Sequence, residues 1–151
     1  TRTSLNTWLS RDSSPTITSI YNRAADLLQI PSEKLNRFQC AEDLQVVHYA
    51  EGQKYDSHHD WGVSGYPESR YITLLFYLND KLSPDAGGET SFPLGAGGEG
   101  MKIHPGKGNA VLFYNLLEDG NADDLSLHGA LPVIHGEKWL ANLWVWDPKM
   151  H

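Results

Sequence analysis

The chain has 151 residues, 40% of them hydrophobic, and a formal net charge of −7. That length suffices for one domain with its own core, and the acidity argues against a nucleic-acid partner, which calls for a basic face. A lone cysteine, Cys40, excludes an intramolecular disulfide, and no apolar run reaches the roughly 18 to 20 residues of a membrane-crossing segment. No signal-peptide pattern is present, and a start at Thr1 leaves open what precedes it.

The first forty residues carry helical signals and are read as a supporting layer. Ser13 or Ser14 can cap a helix whose first turn accepts Pro15. Ile17, Ile20, Tyr21, Ala24, Leu27 and Leu28 follow at helical spacing, so a helix is predicted over Pro15–Leu28. Pro31 ends it, and Ser32 opens a shorter helical element through Phe38.

From residue 41 onward the texture is β-rich. Strands are predicted over Leu44–Tyr49, Arg70–Leu78, Met101–His104, Asn109–Asn115 and Trp139–Trp146. Loops are predicted over Gly62–Ser69, Leu82–Gly88, Gly95–Gly100 and Glu118–Asp124. Helices do not alternate with strands, which disfavours a parallel α/β fold. The order suggests a mainly β (α+β) sandwich or barrel with helices packed outside it.

One segment carries metal chemistry. In Tyr55-Asp56-Ser57-His58-His59-Asp60, residues i and i+2 of an extended chain point the same way, so His58 and Asp60 can reach one ion while His59 points away. His128, beside Gly129, is the third candidate ligand. Two histidines and a carboxylate on one face of an ion leave positions open for a co-substrate and O2, as in Fe(II) oxygenases. Hydrolytic zinc sites use the same donors, although the helical H-E-x-x-H motif is absent.

The flanking segments extend this signal. They are Leu44-Gln45-Val46-Val47-His48-Tyr49, Gly52-Gln53-Lys54-Tyr55, His58-His59-Asp60-Trp61 and Arg70-Tyr71-Ile72-Thr73-Leu74-Leu75-Phe76-Tyr77-Leu78-Asn79. Further on come Gly87-Gly88-Glu89-Thr90-Ser91-Phe92-Pro93, Pro105-Gly106-Lys107-Gly108-Asn109-Ala110, Ser126-Leu127-His128-Gly129 and Gly136-Glu137-Lys138-Trp139. In this order, with Arg2-Thr3-Ser4 upstream, they strongly resemble the prolyl 4-hydroxylase family of Fe(II)- and 2-oxoglutarate-dependent dioxygenases.

The resemblance implies a double-stranded β-helix (jelly-roll) core over residues 41–151, supported by residues 1–40, in a single dioxygenase domain. It implies Fe(II) held by His58, Asp60 and His128, with 2-oxoglutarate and O2 as co-substrates and ascorbate as reductant. It places Lys138 against the distal carboxylate of 2-oxoglutarate, and Tyr49, Thr73 and Trp144 in the same pocket. Tyr55 and Arg70 match positions near the peptide groove. The implied reaction is 4-hydroxylation of proline in a proline-rich peptide, releasing succinate and CO2. Two departures fall near that groove: Ala86 stands where relatives often carry Glu, and the loop between Asp60 and Arg70 is short. They keep open a different substrate for the same chemistry, such as free proline, a lysyl residue or a regulatory protein. A non-catalytic β-helix binding module is the rival of another class. Eukaryotic relatives work in the endoplasmic reticulum lumen and secretory pathway, whereas a microbial chain without disulfides suits the cytoplasm. Oligomeric state is not legible.

Overall fold

A computed structural model describes residues 1–62, 70–80 and 83–149. Its regular elements are β1 (Leu5–Leu9), α1 (Pro15–Leu28), β2 (Leu44–Tyr49), β3 (Tyr55–His58), β4 (Arg70–Tyr77), β5 (Thr90–Phe92), β6 (Met101–Ile103), β7 (Ala110–Tyr114), β8 (His128–Ala130) and β9 (Lys138–Trp146). The strands form two antiparallel sheets, ordered β1-β2-β9-β4-β7 and β3-β8-β5-β6. From β2 onward the chain passes from one sheet to the other at nearly every connection. That is the winding of a double-stranded β-helix.

Helix α1 forms where its sequence signals lie. The Ser14 hydroxyl accepts the Ile17 N–H at 3.2 Å, Pro15 occupies the first turn, and Gln29 ends the helix in the left-handed conformation at φ 55°. Its apolar stripe places Tyr21, Ala24 and Ala25 on Leu44, Ile72, Leu74, Ala141, Leu143 and Val145 of the larger sheet. Each large aliphatic buried in this layer contributes about 1.5–3 kcal/mol. A second cluster, Val47, Tyr49, Leu75, Tyr77 and Leu140 with Val133, lies between the sheets.

Strand parity separates the two faces. On β9, residues 141, 143 and 145 face the helix, while Lys138, Leu140, Asn142 and Trp144 line a cleft between the sheets. The same alternation sends Ile72 and Leu74 of β4 outward and Leu75 and Tyr77 inward.

Two expectations for residues 1–40 are corrected. Leu5–Leu9 is a strand, paired antiparallel with β2 from Leu5↔His48 to Leu9↔Leu44. Four of its five residues are exposed, so the pairing is a backbone affair with little apolar patterning to announce it. The helical element predicted through Phe38 is a single 3-10 turn at Ser32–Lys34. The Arg11 guanidinium takes the carbonyls of Ser32 and Leu35, and Cys40 N–H takes that of Lys34, so those carbonyls are committed away from a continuing helix. Residues 63–69, most of the predicted loop Gly62–Ser69, and Leu82 of the loop Leu82–Gly88 lie outside the described residues. Within the latter loop, Ala86 to Gly88 is fastened to residues 132–135: Ala86 O accepts from Ile134 N at 2.7 Å, and Gly88 N donates to Pro132 O at 2.9 Å.

Candidate active site

The β3–β8 pairing sets two histidines side by side. Three residue steps on β3, from Tyr55 to His58, oppose two on β8, from Ala130 to His128. This bulge brings His58 directly across from His128, with ring centroids 4.5 Å apart. Asp60 follows two residues later. One ligand atom from each of His58, Asp60 and His128 lies within 4.8 Å of the others. The His59 ring packs against Trp61, tilted by 31° with centroids 4.5 Å apart, and does not line the cleft, as strand parity predicts.

The hydrogen bonds around the trio prepare it for a metal. His58 Nδ1 donates to Asp56 O, and His128 Nδ1 donates to Ser126 O, both at 2.9 Å. With those protons on Nδ1, each Nε2 offers a lone pair, 3.6 Å from an Asp60 oxygen. Burial holds His128 below the usual imidazole range, against the opposing pull of Asp60. Burial alone pushes Asp60 up. The facing His58 and His128 imidazoles, with the Trp144 and Thr73 donors each at 2.8 Å, more than offset it and leave a carboxylate.

The walls of the cleft are cationic and hydroxylic. Lys138 is fully buried, and its Nζ has no hydrogen-bond partner among the described residues. It lies 5.4 Å from the Tyr49 ring and 5.8 Å from the Tyr77 ring. Desolvation pulls its pKa from 10.5 down to about 7, with Glu89 opposing. Tyr49, its cross-strand partner, and Thr90 line the same cleft, and the Tyr77 and Thr90 hydroxyls are 2.7 Å apart. An unpartnered buried ammonium beside open metal positions fits a dianionic chelator with a distal carboxylate.

Thr73 is the one expected pocket residue that stands elsewhere. Its hydroxyl is committed to Asp60 Oδ2 and Asn115 Nδ2, each at 2.8 Å, behind the carboxylate. Thr90 is the threonine that lines the cleft. Trp144 lines it too, and its indole N–H is given to Asp60 Oδ2 at 2.8 Å.

The mouth carries the remaining expected residues. The Tyr55 ring stacks on His58 at 3.7 Å, with the Arg2 guanidinium 4.9 Å from its centroid. Arg70 lies 3.7 Å over the Trp144 ring and grips Glu42 with two bonds, at 2.6 and 2.9 Å. Gln45, Asn142 and Asn115 escape sequence reasoning. The first two look like ordinary alternating strand polars, and Asn115 sits just past β7 with no motif of its own.

Fold and site together define a double-stranded β-helix with a two-histidine, one-carboxylate centre beside a cationic cleft. The chain belongs to the 2OG-Fe(II) oxygenase superfamily, whose family model matches residues 44–146. It is 36% identical to probable prolyl 4-hydroxylase 8 of Arabidopsis thaliana over 162 residues, covering 95% of this chain and 53% of that protein. It is also 36% identical to prolyl 4-hydroxylase subunit alpha-1 of Gallus gallus over 152 residues, covering 95% and 27% respectively. The chain therefore spans about half the length of the curated plant relatives it matches. A viral collagen prolyl hydroxylase from Paramecium Bursaria Chlorella virus-1, solved as a 2-oxoglutarate complex, superposes with a TM-score of 0.79 at 30% identity. That match covers 96% of this chain and 79% of the viral one.

Proposed function

We propose that residues 1–151 act as a prolyl 4-hydroxylase domain that uses Fe(II), O2 and 2-oxoglutarate, with ascorbate as reductant. The substrate is a proline-rich peptide. The carrying observation is the fully buried Lys138 side chain, whose Nζ has no hydrogen-bond partner among the described residues, in the cleft that His58, Asp60 and His128 share. A stability-driven fold gains nothing from such a lysine. A dicarboxylate co-substrate is the partner that turns it into an asset.

Fe(II), when bound, would activate O2, one oxygen atom going to 2-oxoglutarate as it loses CO2 to become succinate and the other to the substrate C–H bond. The chain does the rest. His58, Asp60 and His128 would hold the ion with one ligand atom each. Lys138 and Tyr49 fix the far end of the co-substrate, which sets its orientation at the metal. Leu75, Ala130 and Leu140 make the adjoining wall apolar. Tyr55 and Arg70, each braced by a ring or an ion pair, frame the entry for the peptide. Proline-rich segments hold an extended polyproline II form that docks on aromatic surfaces at low entropic cost. The 36% identity to the plant and animal prolyl 4-hydroxylases supports proline as the target.

The test is incubation with Fe(II), 2-oxoglutarate, ascorbate and proline-rich peptides, followed by mass spectrometry and a succinate assay. Oxidised peptide and succinate are expected together, and His128→Ala abolishes both. Succinate without peptide oxidation would redirect the reading to another substrate. Neither product would sink the enzymatic reading.

A further inference from the structure

We propose that Asn115 is a positioning residue for the metal centre, acting through Thr73 to orient Asp60 so that one carboxylate oxygen is held by the protein and the other is left for the ion. The inference rests on the reading of Asp60 as an iron ligand.

Asp60 Oδ2 accepts the Trp144 indole N–H, a group that can only donate, so this oxygen is an acceptor. The Thr73 hydroxyl lies 2.8 Å from Asp60 Oδ2, so its single proton points there. Its oxygen must then accept from its other neighbour, Asn115 Nδ2, also at 2.8 Å. The side-chain amide thus forces the hydroxyl to donate toward the carboxylate. A second donor, Trp144 Nε1, reaches the same oxygen at 2.8 Å. Two hydrogen bonds occupy Oδ2. Oδ1 receives none from these groups; it stands 3.6 Å from His58 Nε2 and 4.0 Å from Arg70 Nη1, beyond hydrogen-bond reach of either.

Asn115 is built for this and not for stability. It is fully buried, and its backbone is pinned on both sides: its N–H donates to Tyr71 O at 2.8 Å and its carbonyl accepts from Asp123 N–H at 3.0 Å. Its Oδ1 has no hydrogen-bond partner among the described residues. A buried amide oxygen left unpaired is a standing cost that an apolar side chain would remove. What the asparagine provides is a donor-only nitrogen aimed at Thr73. Three elements meet in this chain of contacts: the end of β7 supplies the amide, β4 the hydroxyl and β9 the indole.

The experiment is an anaerobic Fe(II) titration of the whole chain with saturating 2-oxoglutarate, read by the visible charge-transfer band, alongside thermal unfolding of the metal-free protein. Outer-sphere partners of metal ligands are worth about 10- to 100-fold in affinity. Thr73→Val and Asn115→Leu are each expected to weaken Fe(II) binding by about that factor. Thr73→Ser, which keeps the hydroxyl, is expected to bind within about threefold of wild type. The double variant is expected to be no weaker than Thr73→Val alone, because Asn115 acts only through that hydroxyl. A general loosening of the fold would instead add the two losses, and that result overturns the proposal. Fe(II) affinity at the wild-type level in both single variants overturns it as well. If Asn115→Leu does not fold, Thr73→Val against Thr73→Ser decides the same link. A wild-type protein that binds no Fe(II) sinks the iron-centre reading and this inference together, whereas normal wild-type binding with unaffected variants sinks this inference alone.

Discussion

At the scale of one residue, Lys138 is a point of local instability that the proposed co-substrate would relieve. Its pKa falls from 10.5 to about 7 because burial disfavours the ammonium. Below about pH 7 the folded and unfolded states both hold the proton, and the folded state bears the whole desolvation penalty. Between about pH 7 and 10.5 the unfolded chain binds a proton that the folded chain does not, so ligand-free stability rises with pH across that window. Replacement by an apolar side chain of similar length removes the penalty. Lys138→Met is expected to stabilise the ligand-free protein at pH 7 by about 1–3 kcal/mol and to lose the thermal shift that 2-oxoglutarate confers. Thermal melts with and without 2-oxoglutarate check both. A less stable variant that keeps its 2-oxoglutarate shift would contradict the assignment. The same charge predicts proton uptake on binding. At pH 8.5 the distal carboxylate restores the ammonium, so about one proton enters with 2-oxoglutarate. Calorimetry in buffers of different ionisation enthalpy measures it, and Lys138→Met abolishes it.

At the scale of elements, the β3–β8 pair carries the geometry. A Cβ on Gly129 would meet Tyr55 O at 2.9 Å and Ser57 N at 3.1 Å. Both are backbone atoms of the facing strand and cannot swing aside. Gly129→Ala therefore pushes β8 from β3 and carries His128 away from its place opposite His58. Fe(II) affinity is expected to fall by at least about tenfold, and stability by about 1–3 kcal/mol. A titration that leaves affinity unchanged would show that β8 yields without moving His128. This pair also marks how far sequence reasoning reaches. Long elements with strong periodicity, α1 and the strands β2, β4, β7 and β9, were legible to within a residue or so at either end. Their apolar residues repeat at the period of the element itself. Strands β3, β5 and β8, of three or four residues, and the mostly exposed β1 carry too few apolar positions to show a period. They exist because a partner strand holds their backbone. His58 and Asp60 are legible because His-x-Asp needs only local parity, whereas His128 stands out only through the family resemblance of the flanking segments. Asn115 and the true place of Thr73 are not legible, because their roles depend on β4, β7 and β9 meeting in space.

At the scale of the molecule, the cleft is where two sheets of different construction meet. The larger sheet has α1 on its outer face and supplies Tyr49, Lys138 and Trp144, while the smaller supplies His58, Thr90 and His128. Asp60 joins them: it follows β3 in the chain, yet two of its hydrogen bonds come from β4 and β9. A metal with 2-oxoglutarate seated in the cleft therefore ties one sheet to the other. Ligands that bind only the folded state stabilise it by mass action, by about 2.7 kcal/mol at a hundredfold excess over Kd. The added protection has a predicted location. Hydrogen exchange is expected to slow in β3, β8 and the inward-facing part of β9 when Fe(II) and 2-oxoglutarate are added without O2. Helix α1 gains no contact and should slow only as far as global stability rises. Asp60→Ala removes the link, and with it the excess protection of β3 and β8 over α1. Uniform slowing of all elements would show that the two sheets already open as one unit before any ligand arrives.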